Sequence, residues 1–256
     1  MKKRGFTLAE VLITLGIVGV VAALTAPALV MSSRNEANAA RLSTVVSNME
    51  NAFQTAIAQE GADNLYGTSL WDFNNVLVSG RAEIPQFVGR LGQYMILNGY
   101  KNSENDFYNG VQTYAMSSTG GVGQSASIFG SSFAIETKNG AVIFLQAYRQ
   151  NNLAEQRTAA INNGCTLYTR AGEVAIDVNG KNGPNVFGRD IFFFVLGENG
   201  VLYPFGGNDT NRVIGGSVWD NPGAQYACTD ASKGRADSAG RGCTARVIAE
   251  GYKINY

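Results

Sequence analysis

Residues 11–31 contain no Lys, Arg, Asp or Glu, and this apolar run follows a short basic head of Lys2, Lys3 and Arg4 with a single acid, Glu10, at its edge. The run has about the 20 residues that a helix needs to cross a hydrocarbon layer about 30 Å thick. Such a segment is apolar on every side, so a compact head cannot cover it. A carboxylate carried into the bilayer costs as much as about 2.5–3.5 kcal/mol on insertion scales, so Glu10 requires a compensating charge or a task. The basic end, kept on the cytoplasmic side, places the remainder of the chain on the other side of the membrane. A removable secretory signal is the plainer alternative, since Ala26-Pro27-Ala28 imitates a small-residue cleavage site. An acid bordering so long an apolar run speaks against it. A simple one-helix anchor is the other alternative.

Beyond residue 31 the pattern changes from uniformly apolar to periodic. Leu42, Val45, Val46, Met49, Ala52, Phe53, Ala56 and Ile57 recur at steps of three and four, while Arg34, Glu36, Arg41 and Glu50 fall on other faces. The two stretches predict one helix over residues 6–59, stopped by Gly61, whose second half needs a sheet on one side only. Pro27 lies inside it and is expected to bend it. Gly16 and Gly19 either permit close helix approach or simply reflect membrane-helix composition.

Residues 62–130 read as a polar connection holding Tyr66, Trp71 and Phe73, with one helical piece over 85–97 and a flexible Gly/Ser-rich loop over 117–127. Residues 132–137 and 141–148 read as strands joined through Lys138-Asn139-Gly140, a hairpin signal. A third strand is expected over 172–178 and a second hairpin over 191–196 and 201–205, giving an antiparallel, mostly sequential sheet. Residues 151–163 look like a polar helical excursion. The segment CTARVIAEGYKINY predicts a short helix stopped by Gly251 and then a terminal edge strand.

The chain has no histidine, which removes the commonest general base and metal ligand and argues against an enzyme. Its basic residues are dispersed and no aromatic platform accompanies them, so no nucleic-acid partner is expected. Three cysteines, Cys165, Cys228 and Cys243, fall in the part of the chain expected outside the inner membrane, where disulfides persist. A Cys228–Cys243 bridge would clip a polar stretch with little apolar content; Cys165 is either unpaired or the true partner of one of the others. Gly206, Gly207, Gly215 and Gly216 lack the following helix of a phosphate-binding loop. Trp219, Tyr226 and Tyr252 read as core rings, with an exposed contact surface as the alternative.

Gly5, Phe6, Thr7, Leu8 and Glu10, followed by the apolar helix and Pro27, closely resemble the leader of type IV pilins and type II secretion pseudopilins. The resemblance implies an α+β, pilin-like fold: a long N-terminal helix on an antiparallel sheet, with a disulfide-clipped C-terminal loop region. It divides the chain into a leader over 1–5, a membrane and filament-core half-helix over 6–31, an amphipathic half-helix over 32–60 and a head over 61–256. It also implies cleavage between Gly5 and Phe6 by a prepilin peptidase, N-methylation of Phe6, and pairing of Glu10 with the N-terminal amine of a neighbouring subunit. The expected partners are other pilin or pseudopilin subunits, the peptidase and the bacterial inner membrane, which the chain crosses once with its head in the periplasm. A membrane-tethered binding module that does not polymerise is the rival reading.

The stretch from Asp177 to Asn185, followed by Asp190, resembles a DxNGxxGPNxxGxD segment common in prepilin-type proteins. It concentrates oxygen ligands between two strands. Asp177, Asn179 and Asp190 form a weak calcium candidate, as some pseudopilins bind calcium in their strand loops, but Lys181 and the lack of a later Glu oppose it. The preferred reading is a tight connection in which Asp and Asn side chains satisfy backbone donors.

Overall fold

The computed structural model describes residues 7–117, 121–149, 170–205, 228 and 239–256. Cys165, the expected helical excursion over 151–163, Gly206, Gly207, Gly215, Gly216, Trp219 and Tyr226 lie outside the described residues, as do Gly5 and Phe6.

One helix, α1 (Leu8–Glu60), runs for 53 residues and continues unbroken through Pro27. Thr7 caps its start. Gly61, at φ 63°, closes its end in the left-handed conformation that glycine adopts without a Cβ clash. The expected stripe is the buried one: Ala39, Leu42, Val45, Val46, Met49, Ala52, Phe53 and Ala56 are all buried, and Ile57 packs against the same core.

The stripe rests on a six-stranded antiparallel sheet in the order β1 (Leu97–Lys101), β4 (Phe133–Thr137), β5 (Val142–Ala147), β6 (Arg170–Asp177), β7 (Ile191–Gly197) and β8 (Leu202–Pro204). Strand side chains alternate between faces. Phe133, Ile135, Ile143, Leu145, Val174, Ile176, Phe192 and Phe194 therefore meet α1 in one core. Phe144, Ala175, Phe193 and Val195 face a second core on the opposite side. With both faces covered, β7 reads Ile-Phe-Phe-Phe-Val-Leu-Gly and is buried throughout. The turn between β7 and β8 passes close to α1: a Cβ on Gly200 would stand 3.0 Å from Cβ of Phe53, and its φ is 78°.

Several expectations for residues 62–130 are corrected. The helix over 85–97 is α2 (Ile84–Leu91), with Pro85 in its first turn, and the chain then forms β1 at the edge of the main sheet instead of continuing as helix. α3 (Glu104–Tyr108) follows, and its Phe107 and Tyr108 cover Phe144 in the second core. The Gly/Ser-rich stretch contains β3 (Val122–Ser125), paired with β2 (Tyr114–Met116) in a small second sheet. Gly123 suits that pairing, because a Cβ there would stand 2.6 Å from the Ala115 carbonyl oxygen. Trp71, expected in a polar connection, is buried in the α1 core with its indole Nε1 donating to the Tyr148 carbonyl at 2.8 Å.

The terminal helix is α4 (Cys243–Ala249), but no edge strand follows it. Tyr252 takes a left-handed φ of 58°, which breaks extended geometry. Ile254 is instead buried in the α1 core, and its carbonyl accepts from Asn35 Nδ2 on α1 at 2.9 Å.

Candidate functional site

The first half of α1 leaves its apolar side chains uncovered. Leu8, Leu12, Ile13, Leu15, Ile17, Val18, Val20, Val21, Leu24, Leu29 and Val30 are all exposed. The helix is long and apolar enough there to cross a membrane.

At its start, Thr7 and Glu10 form a reciprocal capping box. The Glu10 amide donates to Thr7 Oγ1 at 3.2 Å, while Glu10 Oε2 accepts from the Thr7 amide and hydroxyl, each at 2.8 Å. The sequence reading assigned Glu10 a charge partner and missed this local role, although Thr-x-x-Glu ahead of an apolar run is the signature of such a cap. The box holds the carboxylate at the helix N-terminus, where the helix dipole favours negative charge.

Asp177, Asn179 and Asp190 are brought together by the turn between β6 and β7. Asp177 is fully buried; its Oδ2 accepts from the Tyr108 hydroxyl at 2.7 Å and its Oδ1 from the amides of Asn179 and Gly180 at 3.1 and 2.8 Å. Asp190 accepts from the amides of Val186 and Asn185 and from Asn179 Nδ2. Burial pushes the Asp177 carboxyl well up, against the pull of its Tyr108 and backbone donors. Burial likewise pushes Asp190 up to about 6, against the bonds from Val186 and Asn185.

These side chains do what the preferred reading asked, satisfying backbone donors in a tight connection. Asn179 Oδ1 and Asn185 Oδ1 are buried without a hydrogen-bond partner, so the turn gathers amide and carboxylate oxygens of the kind calcium takes, with the carboxylates already accepting from backbone amides. Among the described residues no group of three acidic, Cys or His side chains could hold a metal.

Cys228 and Cys243 lie at disulfide distance, with sulfurs 2.05 Å and Cα atoms 4.3 Å apart. Both are buried beside Met116 and Val186, below the second face of the sheet.

A long helix, apolar and uncovered at one end and packed on an antiparallel sheet at the other, defines an α+β protein whose N-terminal helix is of membrane-spanning length. Its N-terminus supplies the more particular identification: residues 1–26 match the family model of the prokaryotic N-terminal methylation motif, the prepilin signal of type IV pilins and pseudopilins. No curated protein and no solved structure matches the chain.

Proposed function

We propose that the chain is a structural subunit of a type IV pilus-like or type II secretion pseudopilus filament. The observation that carries this reading is the continuity of α1: a prepilin signal leads into a half-helix with no cover of its own, and that half-helix is joined without a break to the one that forms the core of the head. A prepilin peptidase removes residues 1–5, cutting between Gly5 and Phe6, and Phe6 is N-methylated. Residues 6–31 then sit in the inner membrane, with the head over 61–256 in the periplasm. On assembly they move into the filament core, where Glu10 pairs with the Phe6 amine of a neighbouring subunit and Pro27 lets the helix bend. The Cys228–Cys243 bridge clips the far side of the head. The role is mechanical and not catalytic.

The mature N-terminus tests this reading. Mass spectrometry of the chain isolated from its host is expected to show a start at Phe6 carrying one extra methyl group. An intact Met1, or a start near Ala28, would overturn it in favour of a simple anchor or a secreted head.

A further inference from the structure

A cleft of about 490 Å³ opens between α1 and the turn joining β6 to β7, at the point where the apolar run ends. Val30 and Met31 form its membrane-side lip and Pro184 part of its far wall, and three guanidinium-bearing residues, Arg34, Arg41 and Arg189, line it. We propose that this cleft binds the phosphodiester headgroup of an anionic phospholipid in the outer leaflet of the inner membrane, with Arg34 and Arg41 as the recognising cations.

Position, charge and direction support one another. At 1.5 Å per residue, Arg34 lies about 4.5 Å past Met31 and Arg41 about 15 Å past it. The headgroup layer on each side of the hydrocarbon is about 5–7 Å deep. Side chains on a helix lean toward its N-terminus, which here is toward the membrane, so the Arg34 stem can reach down to the phosphate level, while Arg41, two turns further out, lines the upper part of the cleft into which the headgroup rises. Arg34 and Arg41 are exposed and make no hydrogen bond or ion pair among the described residues. Arg189 is held in place by its bond to the Tyr256 main-chain oxygen at 3.3 Å. The acid at the cleft, Asp190, is buried and spends its carboxylate on the amides of Asn185 and Val186. The cleft therefore presents a cationic wall, and the planar guanidinium fork suits phosphate. Phosphatidylglycerol, with a neutral glycerol beyond its phosphate, fits this wall; the ammonium of phosphatidylcholine is repelled by it.

The inference rests on insertion of α1 into a membrane, as read above, and does not require polymerisation. The mature full chain, purified in detergent, is offered equal amounts of phosphatidylglycerol and phosphatidylcholine, and the retained lipids are counted by native mass spectrometry. Retention is expected to favour phosphatidylglycerol about tenfold. In Arg34→Gln/Arg41→Gln, whose head melts as the parent's does, the preference is expected to fall within about twofold of unity. Equal retention by the parent, or a preference that survives the double substitution, overturns the proposal. So does displacement of phosphatidylglycerol by millimolar inorganic phosphate, which would make the cleft a site for any phosphate. Alkaline carbonate extraction separates the two failures: a chain released from membranes refutes the anchor itself, whereas a retained chain without lipid preference refutes only the cleft.

Discussion

The two halves of α1 are continuous in backbone and opposite in circumstance. From Leu8 to Met31 nearly every large apolar side chain is exposed, while from Ala39 to Ala56 one stripe is buried against the sheet. The first half is the more hydrophobic, yet it is the second that is covered. Burial thus follows pattern and not hydrophobicity alone. A stripe about 100° wide can be satisfied by one sheet face, whereas a helix apolar on all sides needs lipid or other helices around it. A contiguous exposed apolar surface of this size marks an interaction site.

The comparison breaks most sharply at Glu10. Glu10→Gln is expected to abolish filaments, because removing one partner of a buried ion pair costs about 3–5 kcal/mol and the loss recurs at every subunit contact. The melting of the head should not change, since among the described residues Glu10 bonds to Thr7 and Thr14 of its own helix start and to nothing in the head. Sheared surface fractions examined by electron microscopy give the first result and circular dichroism the second. Filaments as abundant as the parent's would end the charge-pairing account.

Next come paired substitutions in the two halves. Phe53→Ala removes a fully buried ring packed edge-on against Trp71 with centroids 5.9 Å apart, and is expected to destabilise the head by about 3–5 kcal/mol. Leu15→Ala, in the uncovered half, should change head stability by less than about 0.5 kcal/mol. Denaturant unfolding of both variants in detergent checks this. Similar losses in both would mean that the first half of α1 folds back onto the head. On the far side of the sheet, Cys228→Ser is expected to cost about 3 kcal/mol for a loop with a sequence separation of 15. An equal midpoint with and without reductant would show that the bridge does not form.

The division within α1 was legible because each half has its own signature: an uncharged run in one, a three- and four-residue period in the other. The hairpin through Asn139-Gly140 and the hydrophobic run of β7 were legible for the same reason, since both are local signals. What covers the second face of the sheet was not. β1 is Leu-Asn-Gly-Tyr-Lys and β3 is Val-Gly-Gln-Ser, sequences without strand propensity that are held by pairing with β4 and β2. The resulting cover, with Phe107 and Tyr108 on Phe144, depends on residues far apart in the chain, which no window of sequence displays. The capping role of Glu10 is written in Thr7-Leu8-Ala9-Glu10, but the same carboxylate is also a charge at the edge of an apolar run, and the two signals overlap on one residue.

The smallest expected effect lies in the head, where burial has a chemical consequence that the exposed half of α1 does not share. Asp190 is buried and its carboxyl is raised to about 6, whereas in the unfolded chain it returns to about 3.9. Between those values the folded state holds a proton that the unfolded state has released. Its contribution to stability is therefore fully present below about pH 4 and is lost as pH rises through about 6. Asp177, raised in the same direction by its complete burial, extends the decline to higher pH. Glu60 works in the opposite sense, because the Ser69 amide lowers its carboxyl, but it is exposed and acts only in more acidic solution. The unfolding free energy of the head is expected to fall by on the order of 1–2 kcal/mol between pH 5 and pH 7.5, measured by denaturant titration at constant ionic strength. Asp190→Asn should flatten the lower part of that profile while lowering stability at every pH, since the Asn185 and Val186 amides donate to different carboxylate oxygens and an amide replaces one of these with an NH2 donor. A profile that rises over this range would show that the Asp177 and Asp190 carboxylates are better solvated by their backbone donors than their burial implies, and the turn between β6 and β7 would then rank among the stabilising elements of the head.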